Sequence, residues 1–138
     1  MIIGELQTWL IANVAEVAAL ADDQKVYVLQ SDEGANDHVL LTQVGGTPWE
    51  TLDADDDHDE IDESFQIEVK CSTGQRAVDV AEAIVDAFDA FPGTMGTRYV
   101  SALFVEDILS GAENALSGHS RGRAVVEITI TINHRASA

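Results

Sequence analysis

The chain has 138 residues, 46% of them hydrophobic, and a formal net charge of -18 at pH 7. This length suits one ordinary domain, so we expect residues 1–138 to fold as a single domain. The hydrophobic fraction is too high for a disordered acidic tail. Seven basic residues are too few for binding DNA or RNA through phosphate contacts, because that affinity comes from Lys and Arg displacing counterions.

The negative charge is concentrated in the first half of the chain. Residues 1–63 contain sixteen acids and one base, Lys25, whereas residues 64–138 contain nine acids and six bases. A composition rich in Asp and poor in Lys is typical of proteins from a high-salt cytoplasm, where ions screen self-repulsion. We therefore expect a halophilic host, with an acidic functional surface in a mesophilic protein as the alternative.

The first residues do not predict export or membrane insertion. No Lys or Arg precedes Lys25, and Glu5 and Glu16 interrupt the apolar positions, so neither a signal peptide nor a membrane span is expected. The single cysteine, Cys71, excludes an internal disulfide and a Cys-rich zinc site. Since Cys71 lies on the apolar side of an alternating segment, we interpret it as a core residue.

Residues 2–20 have apolar side chains at steps of three and four, which predicts an amphipathic helix. The segments 24–30 and 37–44 are short and rich in β-forming residues, and the turn-forming "SDEGAN" lies between them. They predict two strands, consistent with a hairpin. Residues 45–63 follow as a long acidic loop inserted between the second and third strands, and loops of that length are usually functional or disordered.

The second half of the chain predicts three more strands and one more helix. "SFQIEVKCS" alternates between apolar and polar residues as a half-buried strand does. Ser72 and Gln75 match a capping box at the start of a helix that Pro92 and Gly93 end. Residues 98–109 and 123–134 predict the last two strands. The expected fold is therefore α+β: an antiparallel or mixed sheet of about five strands, with two α-helices packed on one face.

The acidic run does not match a metal site or a catalytic site. An EF-hand loop starting at Asp53 would need Gly and Glu where His58 and Ser64 stand. No second His lies within five residues of any histidine, and no phosphate-binding or nucleophile-elbow motif is present. We therefore predict a non-enzymatic protein with no cofactor and no dedicated metal site, although loose binding of Ca²⁺ or Mg²⁺ by the carboxylates stays open.

The order of elements resembles the tail terminator, or tail completion, family of long-tailed viruses. The likeness is clearest in "SFQIEVKCSTGQRAVDVAEAIVDAFDAF", where a strand of the form F-x-I-x-V leads into an Ala-rich helix, and in the closing "SRGRAVVEITITI". The resemblance covers roughly residues 3–132 at the level of pattern. It implies a small α+β virion protein without an active site, located at the junction of head and tail after assembly in the host cytoplasm.

The resemblance also implies partners. Members of this family form a ring, usually a hexamer, at the head-proximal end of the tail tube. The ring ends tube polymerisation, contacts the tube protein below and the neck or stopper protein above, and lets DNA pass without specific binding. A neck stopper or adaptor protein and a general acidic interaction module are the alternatives.

The dense acidic run is not part of the family pattern, so its role is argued from physics. Carboxylates facing a lumen would repel DNA phosphates. In a head-to-tail ring they would also meet a different patch of the neighbouring subunit, for which Arg121 and Arg123 are the candidates. Because exposed ion pairs contribute only about 0–1 kcal/mol each, apolar contacts must supply most of the assembly energy, and Trp49 is the candidate anchor. The candidate carboxylates are Asp53, Asp55, Asp56, Asp57, Asp59, Glu60, Asp62 and Glu63.

Overall fold

A computed structural model describes residues 2–30, 35–46, 60–113 and 123–136. Within these ranges the chain forms six strands, three α-helices and one short 3₁₀ helix. The helices are α1 (Ile3–Asn13), α2 (Ala15–Ala18), α3 (Gly74–Ala87) and the 3₁₀ turn Phe88–Ala90; the strands are β1 (Val26–Val28), β2 (His38–Gly46), β3 (Ile61–Cys71), β4 (Gly93–Met95), β5 (Arg98–Glu113) and β6 (Arg123–Ala136).

The strands form one mixed sheet in the order β1-β2-β3-β6-β5-β4. Every pair of neighbours is antiparallel except β1 and β2, which are parallel. The expected hairpin of these two strands is therefore wrong, because parallel neighbours need a connection that returns to the starting end of the strand. Residues 29–37 are long enough for this, since β1 has only three residues.

The core lies between one face of the sheet and the helices. Alternate residues of the central strands point into it, among them Phe65 and Ile67 of β3 and Ile128 and Ile130 of β6, all fully buried. They pack in one cluster with Leu6 and Leu10 of α1, Val17 of α2 and Ala77, Val80 and Ile84 of α3. Trp9 packs at the margin of this cluster, with its ring centroid 5.0 Å from that of Phe91. The period-two and helical patterns of the sequence correspond to this arrangement.

The fold class is α+β with a mixed sheet, as predicted, but the element count differs. The sixth strand, β4, pairs with the first residues of β5 across a tight turn at Gly96, whose φ is +60°. Three residues are too few to show an alternating pattern, so the sequence did not reveal this strand. The predicted first helix is divided at Val14, which is extended (φ -115°, ψ 105°), so α1 and α2 replace it.

Two predicted boundaries also change. The cap of α3 is Thr73 rather than Ser72, since the Thr73 hydroxyl accepts a hydrogen bond from the Arg76 N–H at 3.2 Å. The range 45–63 is not loop throughout, because β2 continues to Gly46 and β3 begins at Ile61. The pairing of Glu63 with Ile132 extends the strand into the acidic segment. No helix in the described ranges is both long and apolar enough to cross a membrane.

Candidate assembly surfaces

The face of the sheet opposite the core is polar, and we call it the polar sheet face. It consists of the alternate residues from Asp62 to Glu68 of β3 and from Glu127 to Arg135 of β6, which point away from the helices and are half-buried or exposed. Its central residues are Ser64, Gln66 and Glu68 of β3, and Glu127, Thr129 and Thr131 of β6. The described helices all contribute to the core on the other side. This face therefore offers hydroxyl, amide and carboxylate groups to whatever lies against it.

Hydrogen bonds across the strands hold the polar sheet face in place. The hydroxyls of Ser64 and Thr131 lie 2.9 Å apart, and the Thr131 hydroxyl donates to the Glu106 carboxylate. In the next row, the Asn133 side-chain amide donates to Asp62 Oδ1 at 2.6 Å, and the Ser101 hydroxyl donates to Asn133. Such cross-strand pairs stabilise a sheet whose face is not covered by a hydrophobic layer. These hydrogen bonds hold the side chains of the polar sheet face in defined orientations.

A second surface, the β5 edge, is the outer side of residues 101–113. β4 pairs only with Arg98–Val100, so in the described chain no strand pairs with the outer side of β5 beyond Val100. Four large apolar side chains are exposed along it, at 37–59% of their surface: Phe104, Val105, Ile108 and Leu109. An open edge with exposed apolar residues is a ready template for another strand, and monomeric proteins usually protect such edges.

The apolar residues of the β5 edge point to both faces of the sheet. Val105 and Ile108 pair with Ile130 and Ile128, so they lie on the helix side, whereas Phe104 and Leu109 pair with Thr131 and Glu127 on the polar side. On the helix side, a groove of about 320 Å³ separates the edge from α3. Ile108 and Val126 form its floor, and the apolar Val78 and Val85 and the acidic Glu82 and Asp86 form its α3 wall.

Glu63 does not project from an acidic loop; it is 2% exposed inside the protein. Its position on β3 shares the core-facing side of Phe65, and its carboxylate lies 3.3 Å from His134 Nε2. Arg98 Nε donates to His134 Nδ1 at 3.1 Å, so the imidazole proton is on Nε2 and is donated to Glu63. Glu63 is therefore held by contacts within the same chain.

The pKa of Glu63 lies below the usual glutamate value. Burial acts to raise this pKa, but hydrogen bonds from His134 and the Ile2 N–H, together with nearby positive charge, outweigh it. Glu63 is consequently a buried carboxylate that stays ionised at neutral pH.

Arg123 also makes its contacts within the same chain. Its guanidinium donates to the Ala35 carbonyl and lies 3.4 Å from His38 Nδ1. His38 is fully buried, and its Nδ1–H donates to the Asn36 carbonyl at 2.6 Å. Burial lowers the pKa of His38, and the charges of Arg123 and Lys70 lower it further. Arg123 thus anchors the segment that leads into β2, which differs from its expected role toward a neighbouring subunit.

The remaining predicted contact residues divide into two groups. Glu60 is exposed just before β3, and Asp62 accepts the hydrogen bond from Asn133 at the margin of the polar sheet face. The others lie outside the described residues: Trp49, Asp53, Asp55, Asp56, Asp57, Asp59 and Arg121. Their role in assembly stays a prediction.

Within the described ranges, no group of three His, Cys, Asp or Glu side chains is arranged to hold a metal ion. Cys71 is fully buried, as predicted for a core residue. Burial raises the pKa of its thiol to about 11, so the nucleophilic thiolate is disfavoured at neutral pH.

The β5 edge is the surface that the sequence reasoning missed. The segment "ALFVEDIL" predicts only a strand of the sheet. Its apolar residues do not alternate cleanly, and such a segment is typical of a strand with both faces covered. In the described chain this strand instead has exposed apolar side chains on both faces, so that pattern is the signal that the sequence offers for this surface.

No protein-family model and no curated protein matches the chain. Among solved structures, the chain is similar to one from "Virion of native gene transfer agent (GTA) particle". The two share 17% sequence identity and a TM-score of 0.50, over 95% of this chain and 96% of the other. At this identity the likeness shows a common fold across nearly the full length of both chains.

Proposed function

We propose that this protein is a structural component of a virus-like particle and acts as a tail terminator ring. The observation that carries the proposal is the fold shared, end to end, with a chain of a gene transfer agent virion. Coverage of nearly all of both chains means that the likeness is not confined to one common supersecondary motif. The resemblance of the β3–α3 segment to tail terminators supports the finer assignment, with a neck stopper or adaptor as the alternative.

The polar sheet face fits the wall of a DNA channel. Its central positions carry Glu68 and Glu127 among hydroxyl and amide groups, and Lys70 at its margin is paired with Glu68, with Nζ 3.6 Å from the carboxylate. The central positions of this face carry carboxylates and no cation, and Arg135, the exposed cation at its far end, lies over the Tyr99 ring. A wall with this central charge repels phosphates, so a duplex passes without being held. In a ring, this face would line the lumen while the helices form the outer layer.

The ring would join the tail tube protein on one side and the neck protein on the other, as tail terminators do. For contacts between subunits, we retain Trp49 as the proposed apolar anchor and the acidic run from Asp53 to Asp59 facing Arg121 of the next copy. Glu63 and Arg123 are excluded from this proposal because their contacts are internal.

Negative-stain electron microscopy of the purified full-length chain tests the proposal. We expect closed rings or short stacks of rings, more abundant at molar KCl because salt screens the repulsion between subunits of charge -18. Persistent monomers from low to molar salt, confirmed by sedimentation velocity, would contradict a ring and favour a monomeric interaction module. Adding tail tube protein from the same particle would separate a terminator, which binds tube ends, from a stopper.

A further inference from the structure

The helices cover the outer part of the sheet incompletely. α3 packs chiefly on β3 and β6, and α1 packs on β1, β2 and β4. On the helix side of β5, Ile108 is 51% exposed, although Ile128, its partner on β6, is fully buried. The groove of about 320 Å³ between α3 and β5 lies above this incompletely covered strand. The fold therefore leaves an apolar strip of its own sheet open to a partner.

Side chains from three elements make the groove apolar. Ile108 of β5 and Val126 of β6 come from the sheet, and Val78 and Val85 come from α3, two turns apart. Val78 is itself 38% exposed. Exposed apolar side chains that line one groove mark a site of interaction, because a partner that covers them removes apolar surface from water.

Carboxylates follow the same groove on its solvent side. Glu82 and Asp86 line it directly, and Asp79 lies one turn before them on α3; all three are exposed. Residues three and four apart lie on one face of a helix, so the three acids form a row roughly 10 Å long beside the apolar positions. The base on the same helix, Arg76, directs its guanidinium to the Glu16 carbonyl at 3.5 Å. The groove thus combines an apolar floor with a negatively charged wall.

This charge selects among the partners that an apolar groove can bind. Carboxylates repel phosphate groups, which disfavours nucleic acid and the surface of anionic lipids. A segment of another protein that carries Lys or Arg beside large apolar residues is complementary in both respects.

A second copy of the chain does not supply such a segment within the described ranges. The chain has seven bases and a net charge of -18, and Arg121 lies outside the described residues. The other six all contact an acceptor or an aromatic ring of their own chain: Lys25, Lys70, Arg76, Arg98, Arg123 and Arg135. The complementary charge therefore comes from a different protein.

We propose that the groove between α3 and β5 binds a cationic amphipathic segment of a different protein. Apolar side chains of that segment enter between Ile108 and Val85, and its Lys or Arg side chains pair with Glu82 and Asp86. Apolar burial supplies the affinity, and the acidic row selects the charge of the partner. The inference goes beyond the proposed ring and does not depend on it, since a single copy presents the same groove.

A short synthetic amphipathic helix of leucine and lysine is the probe, and its binding to the full-length chain is measured by fluorescence polarisation. Two control peptides separate the two parts of the site: glutamate in place of lysine keeps the apolar face, and glutamine in place of leucine keeps the charge. We expect only the leucine and lysine peptide to bind. Equal binding of either control peptide, or no binding of the probe to the wild type, would overturn the proposal.

Variants of the protein place the peptide in the groove. We expect Ile108→Ser to weaken binding about tenfold, because the floor loses its exposed apolar group. Glu82→Gln with Asp86→Asn should weaken it about threefold or more. The controls are Val44→Ser, at a residue that is 54% exposed on β2, and Asp23→Asn with Glu60→Gln, which removes two exposed charges elsewhere. Equal losses in the groove and control variants would show nonspecific attraction and contradict the proposal; far-UV circular dichroism checks that each variant folds.

Zero-length cross-linking locates the contact directly. A water-soluble carbodiimide couples the lysine amines of the peptide to carboxylates that they touch, and mass spectrometry identifies the carboxylates. We expect the products to concentrate at Glu82 and Asp86. Products spread evenly over exposed acids such as Asp23 and Glu60 would refute a defined site.

The ring and the groove can fail separately. In a wild type that forms rings, Ile108→Ser should keep them. Loss of rings in this variant would assign the groove to a second copy, which overturns the inference and leaves the ring standing. A wild type that forms no rings but binds the peptide at Glu82 and Asp86 would contradict the ring and support the inference.

Discussion

At the scale of single residues, the position of a carboxylate on its strand decides what it does. Asp62 and Glu63 are adjacent in an acidic segment, yet Asp62 lies on the exposed side of β3 and Glu63 on the buried side. Alternation along the strand separates them, and the hydrogen bond from His134 allows Glu63 to remain charged while buried. Charge density in the sequence therefore overstates the number of acids available to a partner.

Glu63→Gln should lower the free energy of unfolding by about 1.5–3 kcal/mol at pH 7, the range for hydrogen bonds to charged groups. The folded-state pKa of Glu63 lies below that of the unfolded chain, so the carboxylate contributes stability above the usual glutamate pKa. This contribution is lost as the pH falls through the lower folded-state value. Urea unfolding from pH 7 to pH 3 should thus show a difference between wild type and variant that shrinks with acidity.

Glu60→Gln is the matched control, because Glu60 is exposed three positions earlier in the chain. It should change stability by less than about 0.5 kcal/mol at every pH. Equal effects of the two substitutions would show that general charge reduction, rather than the buried contact with His134, accounts for the change.

At the scale of elements, the N-cap of α3 lies one residue later than the sequence pattern predicts. Ser72 and Thr73 are both capping residues by type, and the backbone selects Thr73, whose φ of -126° and ψ of 149° suit a cap. The Ser72 N–H instead donates to Asp37 Oδ1 at 2.9 Å, which ties the helix start to the segment before β2. The contact between Ser72 and Asp37 therefore decides which of the two residues caps the helix, a choice that their residue types leave open.

Thr73→Ala should destabilise the protein by about 1 kcal/mol, since an orphan N–H of the first turn of α3 loses its acceptor. Ser72→Ala retains the main-chain contact with Asp37 and should change stability by less than about 0.5 kcal/mol. Thermal and urea unfolding of both variants measure the difference. A larger loss in Ser72→Ala than in Thr73→Ala would contradict the capping assignment.

The elements that the sequence predicted are those with long, regular patterns. β3, β6 and α3 follow from period-two and helical spacing over eleven to fourteen residues. β4 is too short to show a pattern, and the break at Val14 occurs within an otherwise helical segment. The parallel direction of β1 depends on the path of the segment between β1 and β2, which no local sequence motif specifies. The β5 edge was missed because edge position is a property of the whole sheet.

At the scale of the whole molecule, an apolar core and a strongly charged exterior act against each other. The folded chain carries a charge of -18, and four acids are exposed on α3 and the 3₁₀ turn that follows it: Asp79, Glu82, Asp86 and Asp89. Self-repulsion of this kind destabilises the compact state, and added salt relieves it because the Debye length falls to about 3 Å at 1 M. Stability in molar salt then reflects the core with little penalty from the surface.

We therefore expect the melting temperature to rise by about 5 °C or more between 0.1 M and 2 M KCl, equivalent to roughly 1.5 kcal/mol for a chain of this length. A charge-reduced variant, Asp79→Asn with Glu82→Gln, Asp86→Asn and Asp89→Asn, provides the control, because it removes four charges from one solvent-facing surface without touching the core. Its melting temperature should be higher at low salt and should depend less on KCl. A wild type whose stability does not increase with salt would remove the halophilic interpretation. If the melting temperatures of the wild type and the charge-reduced variant depend equally on KCl, the increase comes from a general effect of salt on apolar burial, which is the same in both proteins. Relief of charge repulsion would then not be the cause.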